Sequence, residues 1–425
     1  MNIFRPKFFE LFKSYSKKQF VSDLVAGIIV AIIALPLSIA LAIASGVSPE
    51  RGLYTAIIAG FVIAFLGGSR VNISGPTAAF AVTVAGIVAQ QGIDGLAIAT
   101  IMAGVLLILF GVLRLGSLIR FIPESITVGF TSGIAVTIVI GQIKDFLGLT
   151  FAPGTNAVES MEKIEAIAHS IKTLNPWALL TGVLALVILI LWPKVSRKIP
   201  GSLVAVLVLT VLVAVAQLSV NTIGDLYTIS AKFPPFAFPT FTLDKVIALI
   251  PSAFTIAILA AIESLLSCVV SDHMIDDTHN SNTELIAQGA GNICSALFGG
   301  IPATGAIART AANVKNGGRS PVSGMVHGVV LLLVLLILMP YAAFIPMPVI
   351  AAVLFIVAYN MSEWKHFVKI CQMSPWQDIL VLVLTFLLTV VFDLVVAIAI
   401  GLALHYGLIV AKRMIEKWQR SKDTE

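Results

Sequence analysis

Two residues in this chain are of a kind that apolar sequence tolerates at a cost, and each points to the handling of charge. Arg309 stands in GGIPATGAIARTAANVKNGGRSP (299–321), among small residues and behind Pro302, Thr304 and Gly305. A permanent cation inside a membrane costs ~2.5–3.5 kcal/mol on insertion scales unless something compensates it. A bound anion, a wet cavity or a carboxylate would do so. Arg309 is therefore read as the positive field of an anion site, with a structural ion pair or snorkelling as the alternative. Glu263 stands in SAFTIAILAAIESLLSCVVSD (252–272), near the centre of its apolar run. Ile262, Leu265 and Leu266 beside it solvate a charge poorly, so the acid form is favoured and the group can carry a proton. The alternative is a permanently ionised partner for Arg309, or a group that satisfies a helix end. Ser264 and Ser267 read as ordinary helix-packing polar residues.

The elements that must hold these residues follow from composition. Of 425 residues, 58% are hydrophobic and 12% charged, and the mean hydropathy is +1.01. A soluble domain has about 45–50% apolar and about 25% charged residues. Many runs are long enough to cross roughly 30 Å of hydrocarbon, which takes about 20 helical residues. The alternation of a membrane barrel is absent. The chain reads as an all-α integral membrane protein with spans near 24–45, 50–66, 76–91, 94–113, 121–141, 176–192 and 199–218. A second set falls near 246–271, 283–298, 304–315, 321–339, 341–359, 376–391 and 393–411. The expected organisation is an interfacial N-terminal segment (1–22), not a removed signal, then a first repeat (23–220) and a polar connector (221–243). A second repeat (244–412) and a cytoplasmic tail (413–425) follow. An amphipathic piece at 156–174 should lie along the surface. With both termini cytoplasmic, inner loops and ends hold 20 of the 27 Lys and Arg and outer loops 6, with Arg309 left over. That asymmetry supports fourteen spans.

The third and tenth spans are short, and they occupy the same place in each half. Short, Gly/Pro-interrupted segments at matching positions mark an inverted-repeat transporter, and an odd number of spans per half inverts the second copy. Two half-helices would then aim their N-termini at one another at the midplane, where unpaired N–H groups and dipoles favour an anion. Pro76 suits a first helical position with Ser74 or Gly75 as cap, followed by Thr77, Ala78 and Ala79. Thr304 is the expected cap of the tenth span, with Gly305, Ala306, Ile307 and Ala308 between it and Arg309. Gly305, Ala306 and Ala308 are small enough for a ligand to reach the backbone.

Other classes have less support. The net charge of +5 comes from basic helix flanks, so nucleic acid is not an expected partner. Cys268, Cys294 and Cys371 are far apart and form no disulfide framework or metal spacing. His273, Asp276, Asp277 and His279 cluster in DHMIDDTHNSNTE (272–284), read as a solvated cytoplasmic loop in preference to a metal site. Glu124 in FIPESITVGF reads as interfacial. A nucleophile triad, a phosphate-binding glycine loop and an HExxH helix are all lacking. No enzyme, cofactor or metal is expected.

With these residues in view, the chain resembles the sulfate permease (SulP) family of anion transporters over essentially its whole length. The stretches that carry the resemblance are DLVAGIIVAIIALPLSIALAIASGVSPERGLYTAIIAG (23–60), GGSRVNISGPTAAF (67–80), ESLLSCVVSD (263–272) and NTELIAQGAGNICSALFGGIPATGAIARTAANVKNGGRSPVSG (282–324). The resemblance implies a seven-plus-seven inverted repeat with core and gate domains, substrate between the third and tenth helices, and a homodimer. Family members continue into a cytoplasmic STAS domain, whereas this chain stops at KRMIEKWQRSKDTE. Sodium-coupled bicarbonate carriers similar to the family have Asp at the Glu263 position and a hydroxyl residue near Ile307. Glu263 and apolar Ile307 therefore favour a proton over sodium. The reading is proton-coupled symport of sulfate, bicarbonate or a C4-dicarboxylate across a bacterial inner membrane by elevator-like movement. Sodium–bicarbonate symport or anion exchange is the alternative. A passive channel or a nucleobase permease of similar fold is more distant, since an uncharged ring would leave Arg309 without purpose.

Overall fold

Apolar runs closed by Pro, Asn, Ser and Thr fold as helices in a computed structural model, which describes residues 4–13, 15–117, 123–155, 157, 159–196, 199–391 and 394–422. Helix α1 (Lys17–Ala44) is capped by Ser16, whose Oγ accepts from Gln19 N. α2 (Pro49–Leu66) begins on a proline, as do α6 (Pro176–Val195) and α12 (Pro321–Leu338). A proline at the first helical position gives up an N–H that would have no helical partner. The others are α3 (Ala81–Val112), α4 (Glu124–Leu147), α5 (Ser160–Ser170), α7 (Gly201–Val215), α8 (Ile223–Leu226), α9 (Leu243–Ile275), α10 (Ser281–Leu297), α11 (Ile307–Lys315), α13 (Met347–Met361), α14 (Trp364–Met373), α15 (Trp376–Val391) and α16 (Leu394–Lys422). By length and composition, 8 of the described helices could cross a membrane, and three shorter apolar ones accompany them.

Several expected boundaries move. α1 runs unbroken through residue 23, where the N-terminal segment was expected to give way to the first repeat. Buried Asp23 accepts from Tyr15 OH (2.8 Å), Arg319 N (2.7 Å) and Ser320 Oγ (2.6 Å). This ties the start of α1 to the loop before α12. The third and fourth spans part at Gly92, as expected: its φ of 68° and ψ of −172° lie outside helical geometry and suit glycine, so α3 is two helices joined across a kink. The expected start of the fifth span at 121 and of the last at 393 lie outside the described residues, as do 1–3 and 423–425. The surface piece is shorter than expected, with α5 followed by a 3₁₀ turn to Thr173.

The helices pack as two groups, each drawn from both halves of the chain. In one, α10 lies on α3 and α2, α12 on α1 and α2, and α9 on α3 and α11. In the other, α4 packs on α13 and α15, α6 on α13, and α15 on α16. Small residues permit close crossings: a Cβ on Gly289 would lie 2.4 Å from the Gly104 carbonyl oxygen, so α10 and α3 meet backbone to backbone. Where the first group closes on itself, two short strands meet. β1 (Ser74–Gly75) pairs antiparallel with β2 (Thr304–Gly305), with Ser74 opposite Gly305 and Gly75 opposite Thr304.

Candidate functional site

The strand crossing changes what the expected caps do. A 3₁₀ turn (Ala78–Phe80) leads into α3, so Pro76 lies in extended chain and Ser74 and Gly75 are strand residues, not caps. Ala306, not Thr304, is the residue before α11. The sequence expectation missed this because a Pro or Thr before an apolar run signals a cap, while a two-residue strand has no pattern of its own. Ala306 N extends the pairing by donating to Ile73 O at 2.8 Å.

The crossing is held by hydroxyls and amides from α9 and α10. Thr304 Oγ1 donates to Ala260 O (3.0 Å) and lies 2.7 Å from Ser264 Oγ, which also accepts from Gly305 N at 3.0 Å. Gly305 N is thereby occupied. Asn72 Oδ1 lies 2.8 Å from Ser267 Oγ and 3.1 Å from Thr310 Oγ1, and Thr310 Oγ1 accepts from Ile73 N at 2.9 Å. Ser264 and Ser267 thus position the strands and do more than pack helices. On α10, Glu284, Gln288 and Asn292 repeat every four residues and share one face. Buried Glu284 accepts from Gly68 N (2.9 Å), Ser69 N (3.2 Å), Asn72 Nδ2 (2.8 Å) and Gln288 Nε2 (3.0 Å). Gln288 Nε2 also reaches Ser74 Oγ (3.0 Å), and Asn292 clasps both backbone groups of Ala303. These positioning residues lay outside the expected site, although their four-residue spacing in ELIAQGAGN was the signal for them.

What remains available at the crossing is the pair of helix starts. The first bond of α11 is Thr310 N to Ala306 O, so the N–H groups of Ile307, Ala308 and Arg309 have no acceptor inside their helix. Those of Ala78 and Ala79 stand likewise ahead of Phe80 N, which bonds Thr77 O. Ile307 is 39% exposed, so this end is open, whereas Ala78 is buried.

Arg309 is 2% exposed. Its Nη2 donates to Pro76 O at 2.6 Å, which joins α11 to the segment after β1. Nε and Nη1 are buried without a protein acceptor, and among the described residues no carboxylate lies within 4.0 Å of the guanidinium. The alternative of a direct structural ion pair is not what the side chain makes. Glu263 is partly buried and accepts from Thr77 Oγ1 at 2.9 Å, so it meets the site through Thr77. Elsewhere, His279 Nδ1 lies 2.6 Å from Asp272 Oδ2 and Glu124 pairs with His366 at 3.2 Å. Neither belongs to the crossing.

The chain matches known proteins along nearly its whole length. Residues 20–385 match the Sulfate permease family. It is 47% identical over 95% of its length to "Putative sulfate transporter YvdB" of Bacillus subtilis (strain 168), covering 76% of that protein. It is 36% identical over 89% of its length to "Bicarbonate transporter BicA" of Picosynechococcus sp., covering 68% of it. Among solved structures it is similar to the transmembrane domain of a cyanobacterium bicarbonate transporter BicA, with TM-score 0.81 and 32% identity, covering 90% of this chain and 98% of that one. Its fold also matches SLC26A9, with TM-score 0.84 at 20% identity over 95% of this chain and 67% of that one. A multi-pass helical bundle matched to the family model over residues 20–385, and to such relatives over nearly its whole length, makes the chain a member of the sulfate permease family and a transporter, not an enzyme.

Proposed function

We propose that the protein is a secondary active transporter of a small anion, sulfate or bicarbonate, that binds at the strand crossing and is driven by protons. The observation that carries this reading is Arg309: a buried guanidinium with two unpartnered nitrogens and, among the described residues, no carboxylate within 4.0 Å, beside two sets of helix N–H groups without a helical acceptor. An anion there would meet a fixed charge and preorganised donors together. Backbone donors read charge more than shape, and the names of the relatives support sulfate and bicarbonate as the anions. C4-dicarboxylates remain the wider class.

Glu263 supplies the coupling. When its carboxylate is charged it repels an anion at the crossing, and protonation removes that repulsion. Proton and anion then bind with positive coupling, each raising affinity for the other by the same factor. Thr77 is the contact between the carboxylate and the first helix start. The two packed groups of helices fit the roles of a moving core, which carries the crossing, and a gate, as in elevator-like transport between the faces of a bacterial inner membrane. The antiparallel pairing of β1 with β2 supports a seven-plus-seven inverted repeat, with 23–220 and 244–412 as its halves. The working unit is a homodimer with cytoplasmic termini.

Sodium–bicarbonate symport is the second reading. Thr77 Oγ1 beside Glu263 adds an oxygen that a sodium ion could use, and the BicA relatives are named bicarbonate transporters. Uptake of radiolabelled sulfate, bicarbonate and fumarate into proteoliposomes, under imposed proton or sodium gradients, separates the two. Wild-type protein should concentrate anion in response to an inward proton gradient. Glu263→Gln, which mimics the protonated acid, should exchange anion but no longer concentrate it. A mutant that still accumulates substrate with the proton gradient removes Glu263 from the coupling, and accumulation driven by sodium alone selects the second reading.

A further inference from the structure

His327, on α12, is fully buried, and neither ring nitrogen has a protein partner. A neutral imidazole carries one donor and one acceptor, and leaving them unmet in an interior is costly. Its surroundings show where the partners belong. His327 lies over Gly60 of α2: a Cβ built there would sit 3.6 Å from His327 Nδ1 and 3.0 Å from the Ser74 carbonyl oxygen. The missing methyl leaves a notch between an imidazole nitrogen and a strand carbonyl. One turn earlier on α2, Ala56 faces Gly75, and Gly75 faces Arg309: a Cβ on Gly75 would lie 3.5 Å from Ala56 Cα and 2.6 Å from Arg309 Nη1. His327 and Arg309 thus border the same strand from behind, at α2 positions (Gly60 and Ala56) about 6 Å apart along the helix axis. Both carry buried nitrogens that no protein atom satisfies.

We propose that His327 is a positioning residue of the anion site, holding β1 and the Arg309 guanidinium from behind through water lodged in the notch at Gly60. Nδ1 donates to a water that in turn donates to Ser74 O. The bond fixes the tautomer, which leaves Nε2 as an acceptor. Nε2 accepts from a second water, which receives the Nη1 hydrogen of Arg309. Both His327 nitrogens and Arg309 Nη1 then have a partner, and each water has the two to four polar partners that an internal water needs. The strand held this way also carries Pro76, whose carbonyl accepts from Arg309 Nη2. His327 therefore sets the guanidinium position without touching the anion.

This rests on Arg309 acting at the anion site, and the test keeps the two apart. A structure of the wild-type protein in a lipid nanodisc, at a resolution that shows ordered waters elsewhere in the core, should show water between His327 Nδ1 and Ser74 O. An occupied core with a dry notch overturns the inference whatever the transport result. Sulfate and bicarbonate uptake is then compared for His327→Phe and His327→Gln. His327→Phe should raise KM about tenfold, the weight of one hydrogen bond to a charged group, with kcat little changed. His327→Gln, which keeps a donor and an acceptor, should recover most of the loss. If both variants lose the same amount of folded protein and the remainder shows wild-type KM, His327 is a packing residue only. If wild type takes up neither anion, the proposed substrates fail while the water test still decides the role of His327.

Discussion

Gly75→Ala tests the anion site with the addition of one methyl group. A Cβ there would stand 2.6 Å from Arg309 Nη1, with Ala56 Cα behind it at 3.5 Å. An ordinary contact needs about 3.4 Å or more, so the guanidinium must retreat by most of an ångström or the strand must shift. Either movement stretches the 2.6 Å bond from Nη2 to Pro76 O, the hydrogen bond that Arg309 makes across the crossing. Hydrogen bonds from charged donors are worth about 1.5–3 kcal/mol, which corresponds to roughly a 10- to 150-fold loss of anion affinity. Gly75 is not among the glycines with positive φ, so alanine brings no backbone penalty of its own. Gly86→Ala is the matched control, since a Cβ there meets nothing within 4 Å. The assay is concentration-dependent uptake into proteoliposomes, with sulfate and bicarbonate as probes. Gly86→Ala should behave as wild type and Gly75→Ala should show the raised KM. Wild-type KM for Gly75→Ala would refute the claim that the guanidinium position governs binding.

Arg309→Ala should lower anion binding by at least a hundredfold while leaving a folded protein, because Arg309 makes no direct ion pair and Glu263 keeps its bond from Thr77; calorimetry on purified protein measures this, and unchanged affinity would place the anion elsewhere. Ala306→Leu should abolish uptake, since the side chain would cover the N–H groups of Ile307 and Ala308, and near-normal uptake would rule out backbone binding at α11. Asp23→Ala should cost about 2–4 kcal/mol of stability by stranding the donors of Tyr15, Arg319 and Ser320, seen as a lowered melting temperature with KM unaltered.

The order of apolar runs, the short third and tenth segments, and the expense of Arg309 and Glu263 were all legible from the chain alone. Hydrocarbon imposes one-dimensional rules on it: length sets a span, basic flanks set a side, and a charge inside a span needs a reason. Those rules brought Ser74 to Ala79 and Thr304 to Arg309 to one place, where the structure also brings them. They could not say which atoms in that place were already taken. Gly305 N is spent on Ser264 and Thr304 on Ala260, because β1 and β2 pair before their helices begin, and the register of two residues against two is set by contacts across the fold. Nor could they show that Arg309 and Glu263 meet the crossing through Pro76 O and Thr77 and not through each other. Partner choice among buried polar groups depends on distances between residues far apart in the chain. Glu284, Gln288, Asn292 and His327 acquire their roles there, since a polar face on a helix has meaning only once the surface it meets is known.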